Sequence, residues 1–156
     1  MKKIGYFVLF ALLILIDRVS KYWVLNYEAS YNNGAFFGIQ LSFNRGISWG
    51  MFHSENSSTF ILVSAVIACT LLYFLYYTFC LYREGKSIFA YLFICAGAIS
   101  NFIDRLWYGA VIDFILFYWG KTSFPIFNIA DTWIVCGVFY ILLFQYPDLC
   151  KISVKK

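Results

Sequence analysis

The run SNFIDRLWYGAVIDF, residues 100–114, and the run FPIFNIADTWIV, residues 124–135, place three carboxylates in or beside apolar sequence. These are Asp104, Asp113 and Asp131. An ionisable group beside lipid is costly unless it is paired or faces water, so its default interpretation is functional. Two carboxylates brought together at a membrane face would suit acid–base chemistry on a membrane-held substrate.

The composition indicates a polytopic membrane protein. The chain has 156 residues, of which 62% are hydrophobic, 23% aromatic and only 13% charged. A soluble domain carries about 25% charged residues, so the low charge and high aromatic content favour a membrane protein. The length suits one domain, residues 1–156. The net charge of +4 does not indicate a nucleic-acid partner, because the basic residues fall at segment ends and form no patch.

The cysteines predict neither a metal site nor another cofactor site. There are five, none in a CxxC arrangement, and His53 is the only histidine. A Cys/His zinc site needs closely spaced ligands, so small buried hydrophobic residues are the better interpretation.

The hydropathy pattern predicts an all-α membrane protein, a bundle of four transmembrane helices. The spans are about residues 4–24, 59–82, 88–102 and 127–146, near the roughly 20 residues that a bilayer requires, although the third is short at its outer end. Residues 27–58 and 106–126 are predicted to form outer segments, a small β-rich cradle and an interfacial loop of extended structure. The first span resembles a signal peptide, but Asp17 and Arg18 follow it without a small-x-small cleavage site, which favours a retained helix.

The basic residues predict the orientation. With both termini inside, the cytoplasmic side carries seven Lys and Arg residues and the outer side five, in agreement with the positive-inside rule. The acids Asp17, Asp104, Asp113 and Asp131 then all reach the outer face. A proton-relay transporter would instead place its charges near the midplane between repeats, and the sequence contains no such repeat.

Local spacing offers simpler explanations for most of these acids. Asp17 with Lys21, and Asp104 with Arg105, are predicted to form local ion pairs at the interface. Asn128 is predicted to cap the fourth helix, with Asp131 in its first turn. Asp113 has no local basic neighbour, so local pairing does not explain it.

The first outer segment is predicted to form sheet and turn. Asn33-Gly34 favours a hairpin, with a loose loop as the alternative. In NRGISWGMF, residues 44–52, an apolar set is expected to lie on the bilayer while Asn44 offers amide hydrogen bonds to a peptide backbone.

Taken together, the motifs resemble the lipoprotein signal peptidase (signal peptidase II) family of bacterial membrane aspartic proteases. The resemblance covers nearly the whole chain and rests on DRVSK (17–21), NRGISWG (44–50), GAISNFIDRLWYGAVIDF (97–114) and FNIAD (127–131), in family order. It implies that Asp113 and Asp131 are the catalytic aspartates. It also implies two further sets, substrate-binding residues and structural polar residues: Asn44, Asn101, Arg105 and Asn128 in the first, and Asp17, Lys21, Asp104 and Gly46 in the second. Ser100 departs from the family, which commonly has glycine there.

The resemblance implies an endopeptidase that cuts diacylglyceryl-modified prolipoproteins on the amino side of the lipidated cysteine. The expected partners are these prolipoproteins and membrane lipid, without nucleic acid, and the chain is expected to act as a monomer without metal or organic cofactor. The expected location is the bacterial inner membrane, with the active site at its outer face. Two alternatives remain from other classes: a small cation channel or transporter, and a non-enzymatic membrane subunit.

Overall fold

The computed structural model describes residues 2–26, 31–32, 36–46, 56–120 and 122–145. Four long helices account for most of them: α1 (Lys2–Asn26), α2 (Ser57–Arg83), α3 (Phe89–Tyr108) and α4 (Ile129–Tyr140), which continues as a π-helical segment, Ile141–Gln145. The mostly helical architecture is confirmed. The predicted Asn33-Gly34 turn and the apolar set at 47–52 lie outside the described residues.

Two of the helices are long and apolar enough to cross a membrane, namely α2 and α3. The helical stretch Ile129–Gln145 is apolar but shorter. Side chains facing away from the other helices are widely exposed on α2, where Ile61, Leu62 and Leu72 each expose about two thirds of their surface. A surface this apolar is expected of a helix that faces lipid.

The helices pack around α3. It contacts α4 most extensively, then α1 and α2. Gly97 permits the closest approach, because a Cβ atom there would overlap the carbonyl oxygen of Ala130 at the start of α4. Small residues at helix contacts bring membrane helices close together in this way. The close approach holds the first turn of α4 against the middle of α3.

The extended segments form a small antiparallel sheet of strand order β1-β2-β3-β4, with β1 at Tyr31–Asn32, β2 at Phe37–Asn44, β3 at Val111–Trp119 and β4 at Thr122–Ser123. Phe127 makes an isolated bridge to Ile115, so the entry to α4 is held against β3. The two predicted outer segments therefore meet in one sheet. This pairing places the second half of β3 beside the residues that precede α4.

The third helix is longer than predicted. The sequence pattern predicts its end near residue 102, whereas α3 continues to Tyr108 and ends at Gly109. Gly109 has φ of +63°, a left-handed conformation that glycine adopts without steric cost and that commonly ends a helix. Residues 106–108, predicted to belong to an extended outer segment, are therefore helical.

Candidate active site

Asp113 is positioned by the strand that follows α3. It lies in β3 opposite Ser42 of β2, and its side chain is 2% exposed. Asn44, at the end of β2, donates a hydrogen bond from Nδ2 to Asp113 Oδ2 at 3.0 Å. Its Oδ1 accepts from the backbone N–H of Gly46 at 2.9 Å, which fixes the direction of the amide.

Asp131 is positioned by the cap of α4, as the sequence predicts. Asn128 is the N-cap residue, and its Oδ1 accepts from the backbone N–H of Asp131 at 2.9 Å. Asp131 Oδ2 accepts in return from the Asn128 backbone N–H at 3.3 Å, which completes a capping box. The remaining oxygen, Oδ1, accepts from Asn101 Nδ2 of α3 at 2.8 Å.

Asn128 joins the two aspartates. Besides capping α4 next to Asp131, it donates from Nδ2 to Asp113 Oδ1 at 2.7 Å. Its side chain is fully buried, so these contacts are shielded from water. One asparagine therefore contacts both carboxylates, which come from different elements.

Both aspartates line one cavity of about 620 Å³. The amide side chains of Asn44 and Asn101 and the guanidinium of Arg105 contribute to its polar part. Most of the remaining wall is apolar and comes from α2, α3, β3, α4 and the segment before α4: Ile67, Ala98, Val111, Phe124, Pro125, Ile126, Phe127, Ile134 and Val135. Such a combination of apolar wall and few converging polar groups is typical of a ligand-binding site.

Arg105 points from α3 towards β2. It donates from Nη2 to the backbone carbonyl of Gly46, and its guanidinium carbon lies 5.6 Å from the centre of the Phe60 ring on α2. The guanidinium of Arg45 lies 5.2 Å from the same ring. Cations at these distances from a ring face interact favourably with it. No sequence pattern indicated Phe60, because its role depends on a contact between helices far apart in the chain.

The environment of Asp113 disfavours its charge. Burial, followed by the negative charge of Asp131, raises the pKa of Asp113 from 3.8 to about 7, while the hydrogen bonds from Asn44 and Asn128 oppose this rise. Perturbed carboxylates in a cleft are candidate acid–base groups. At neutral pH this carboxyl therefore exchanges a proton readily.

A buried charge cluster lies beside the site. The predicted Asp17–Lys21 ion pair is confirmed at 2.8 Å, and both side chains are buried. The predicted Asp104–Arg105 pair is wrong: Asp104 pairs with Arg18 and, at 2.7 Å, with Lys21. Adjacent residues on a helix point about 100° apart, so Asp104 faces α1 while Arg105 faces the cavity. Arg18 was the sequence signal for this contact, because it is a second charge within an apolar helix.

Ser100 belongs to the same cluster. Its hydroxyl donates to Asp17 Oδ2 at 2.6 Å, and its side chain is fully buried. The side chain of Ser100 therefore bridges α1 and α3. A polar side chain at a membrane-helix contact stabilises the contact only when it finds such a partner.

Comparisons with known proteins show the family of the chain. Residues 9–146 match the family model described as signal peptidase (SPase) II. The chain belongs to this family. The lipoprotein signal peptidase of Rickettsia canadensis (strain McKiel) is 36% identical over 153 residues, which are 92% of this chain and 75% of the relative. The lipoprotein signal peptidase of Rickettsia conorii is 33% identical over 153 residues, again 92% of this chain and 73% of the relative.

Two solved structures have the same fold. One, a bacterial membrane enzyme solved by the in meso method at 2.3 Å resolution, superposes with a TM-score of 0.68 at 29% identity and covers 97% of this chain and 92% of its own. A second, solved by the same method at 1.9 Å, gives 0.66 at 28% identity over 92% and 94% of the two chains. The signal peptidase II family consists of peptidases, so this chain is a membrane-associated hydrolase of lipoprotein signal peptides.

Proposed function

We propose that Asp113 and Asp131 are the catalytic pair of an aspartic endopeptidase that cuts diacylglyceryl-modified prolipoproteins on the amino side of the lipidated cysteine. The observation that carries this proposal is Asn128, which donates from its side-chain amide to the Asp113 carboxylate and from its backbone N–H to the Asp131 carboxylate. Both carboxylates line a largely apolar cavity, as a substrate with acyl chains requires.

The proposed mechanism uses one proton shared by the pair. Two neighbouring carboxylates do not both ionise at low cost, so near neutral pH one is ionised and one protonated. The ionised carboxylate takes a proton from water as the water oxygen bonds to the scissile carbonyl carbon. The protonated one donates a hydrogen bond to the carbonyl oxygen. When the tetrahedral intermediate collapses, the C–N bond breaks and the amine leaves with the proton that the base took from water, so the pair again holds one proton. A coupled pair titrates as a unit, so the base is assigned to the pair.

The four polar residues implied to bind substrate divide into two roles in this proposal. Asn44, Asn101 and Asn128 donate to the aspartates and orient them. Arg105 is the candidate for direct substrate contact. Its side chain is buried at 6% exposure, it lines the cavity, and its Nη1 has no hydrogen-bond partner among the described residues. A buried donor without a partner costs free energy, which a substrate carbonyl would recover.

The proposed topology has four membrane-spanning helices with both termini in the cytoplasm and the site at the outer face of the bacterial inner membrane. Support comes from the clustering of three acids: Asp17 and Asp104 share Lys21, and Asp17 accepts from the backbone N–H beside Asp131. The tight turn between α2 and α3, with Arg83 and Lys86, then lies on the cytoplasmic side. We propose that the chain acts as a monomer.

The topology is tested by cysteine labelling from outside, in a variant without the native cysteines. A cysteine at Asn32 should be labelled in intact cells and one at Gly85 only after permeabilisation. Labelling at Gly85 in intact cells would refute the orientation.

The activity is tested with the purified chain in detergent and a synthetic prolipoprotein that carries a diacylglyceryl cysteine. Cleavage on the amino side of that cysteine is expected, with little cleavage of the same peptide lacking the lipid. A channel would conduct ions without cleaving, and a non-enzymatic subunit would cleave only with a partner. Failure of the pure chain to cleave the lipidated peptide would overturn the proposal.

A further inference from the structure

Lys21 is buried and fully bonded. Its side chain is 1% exposed, and its ammonium group contacts Asp17 Oδ2 at 2.8 Å, Asp104 Oδ2 at 2.7 Å and Asn101 Oδ1 at 2.8 Å. An ammonium group has three donors and no acceptor, so these contacts use all of its hydrogens. Lys21 therefore links α1 to two residues on α3.

Asp17 and Asp104, the carboxylate partners of Lys21, each accept a backbone hydrogen bond from the residue that precedes one aspartate of the proposed pair. Asp17 Oδ1 accepts from the N–H of Ala130 at 2.8 Å, next to Asp131 in the chain. Asp104 Oδ2 accepts from the N–H of Ile112 at 3.2 Å, next to Asp113. The ammonium between these carboxylates therefore connects two backbone positions that fix the two aspartates.

Lys21 also determines the direction of the Asn101 amide. An ammonium can only donate, so the Asn101 oxygen must face it, and the amide nitrogen is turned to Asp131 Oδ1. Asn128 Nδ2 donates to the same Asn101 oxygen at 3.1 Å, in agreement with this direction. A reversed amide would place donor against donor at Lys21 and acceptor against acceptor at Asp131.

We infer that Lys21 is a positioning residue for the cleavage reaction: it fixes both catalytic backbones through Asp17 and Asp104, and it turns the Asn101 amide towards Asp131. The inference rests on the proposed function of the aspartate pair. The charged groups around it are Asp17 and Arg18 on α1, Asp104 and Arg105 on α3, Asp113 on β3 and Asp131 on α4.

The test compares two double variants of equal formal charge, Lys21→Met/Asp104→Asn and Arg18→Met/Asp104→Asn, with Asp104→Asn alone as the baseline. Each double variant removes one cation and one anion, so the net charge of the cluster stays the same in both. Arg18 is the matched control because its hydrogen bonds go to Asp104 and to the Ser100 carbonyl, and to neither Asn101 nor the pair. The measurements are kcat, KM and the pH–rate profile on the lipidated peptide, per folded molecule.

The Lys21 variant should have a kcat about tenfold or more below the baseline, because small misplacements of reacting groups cost this much. Its KM should stay within about twofold, since Lys21 does not line the cavity. Loss of a nearby positive charge makes carboxylate ionisation less favourable, so the profile should move to higher pH by about one unit. The Arg18 variant should resemble the baseline in all three readouts.

Equal kcat and equal pH profiles for the two double variants would overturn the inference. So would a Lys21 variant that does not fold beside an Arg18 variant that does, because Lys21 would then be purely structural. Asp113→Asn and Asp131→Asn are measured in parallel. Activity in either would refute the proposed function itself, whereas their inactivity with an unaffected Lys21 variant would refute only the role of Lys21.

Discussion

Asp113→Asn should abolish cleavage and at the same time stabilise the protein at alkaline pH. An amide cannot share the proton of the pair, so the reaction loses its acid–base group. The substitution preserves the shape of a side chain that is only 2% exposed. The substitution should stabilise the protein because the buried Asp113 carboxylate is unfavourable when it is ionised.

The magnitude follows from the pKa of Asp113, which burial and the charge of Asp131 raise from 3.8 to about 7. At about 1.4 kcal/mol for each pH unit, the ionised side chain destabilises the fold by about 4 kcal/mol. Asparagine removes this cost. However, its NH2 group would face the NH2 group of Asn44 or Asn128, and the lost hydrogen bond costs about 1–3 kcal/mol. We therefore expect a net gain of about 1–3 kcal/mol, or about 2–10 °C in Tm.

The sign of the pH dependence is fixed by the direction of the pKa change. The folded protein binds the Asp113 proton more tightly than the unfolded chain, so the native protein loses stability as pH rises from about 4 to about 7. The variant lacks this loss. Its advantage should be complete at pH 8, smaller at pH 5.5 and absent near pH 4.

The assay combines cleavage of the lipidated peptide with thermal unfolding in detergent at pH 5.5 and 8. Asp104→Asn is the matched control, because it is also buried but pairs with Arg18 and Lys21. The substitution removes two ion pairs, one of them with the buried Lys21, and should cost about 3–5 kcal/mol at both pH values. The reasoning is refuted if Asp113→Asn retains cleavage, or if it lowers Tm at pH 8 as much as Asp104→Asn does.

Three further substitutions test the surroundings of the pair. Asn44→Ala should lower kcat/KM about two- to tenfold and move the upper limb of the pH–rate profile to higher pH, because its amide stabilises the ionised carboxylate that it contacts. Gly97→Ala should lower kcat about tenfold or more, measured per folded molecule, because its Cβ would overlap the backbone of the first turn of α4. Ser100→Ala should lower Tm through loss of a buried hydrogen bond to a carboxylate, about 1.5–3 kcal/mol in the free energy of unfolding, with KM unchanged.

Controls of the same chemistry exist for two of these. Asn56→Ala removes the cap of α2, whose side chain accepts from Ser58 N–H, and should leave the pH profile in place. Gly137→Ala would bring a Cβ to 2.7 Å from the Ala90 carbonyl oxygen, far along α4 from the pair, and should lower Tm more than kcat. Equal kcat losses in Gly97→Ala and Gly137→Ala would contradict a special role for the contact between Gly97 and the first turn of α4. A Tm unchanged by Ser100→Ala would show that the serine hydroxyl contributes nothing to the contact between α1 and α3.

The local features of this fold were predictable from the sequence because they depend on residues close in the chain. Apolar runs indicated the helices, and the Asn128–Asp131 spacing indicated a helix cap, which the capping box confirms. The end of α3 was predicted six residues early, because the apolar segment after residue 102 permits either helix or strand. Gly109, rather than any change in hydropathy, ends this helix.

The contacts between helices were not predictable in the same way. Charge and proximity in sequence favoured Asp104–Arg105, but the two side chains point in different directions and Asp104 finds its partners on α1. The spacing of residues within one helix does not indicate which neighbouring helix a side chain will contact. The Asp17–Lys21 ion pair was predictable because residues four apart lie about one turn apart on the same face of a helix.

Asp113 shows why the lack of a local partner was itself informative. Its hydrogen-bond donors are the neutral amides of Asn44 and Asn128, at 3.0 and 2.7 Å. A lysine or arginine in their place would favour the ionised form and depress the pKa far below neutral, and the pair would then hold no proton at neutral pH. Amides orient the carboxylate while leaving its pKa at about 7. A carboxyl group held by neutral amides rather than by an ion pair therefore suits a proton-sharing pair, whereas Asp17 and Asp104 lie in ion pairs with Lys21 and Arg18.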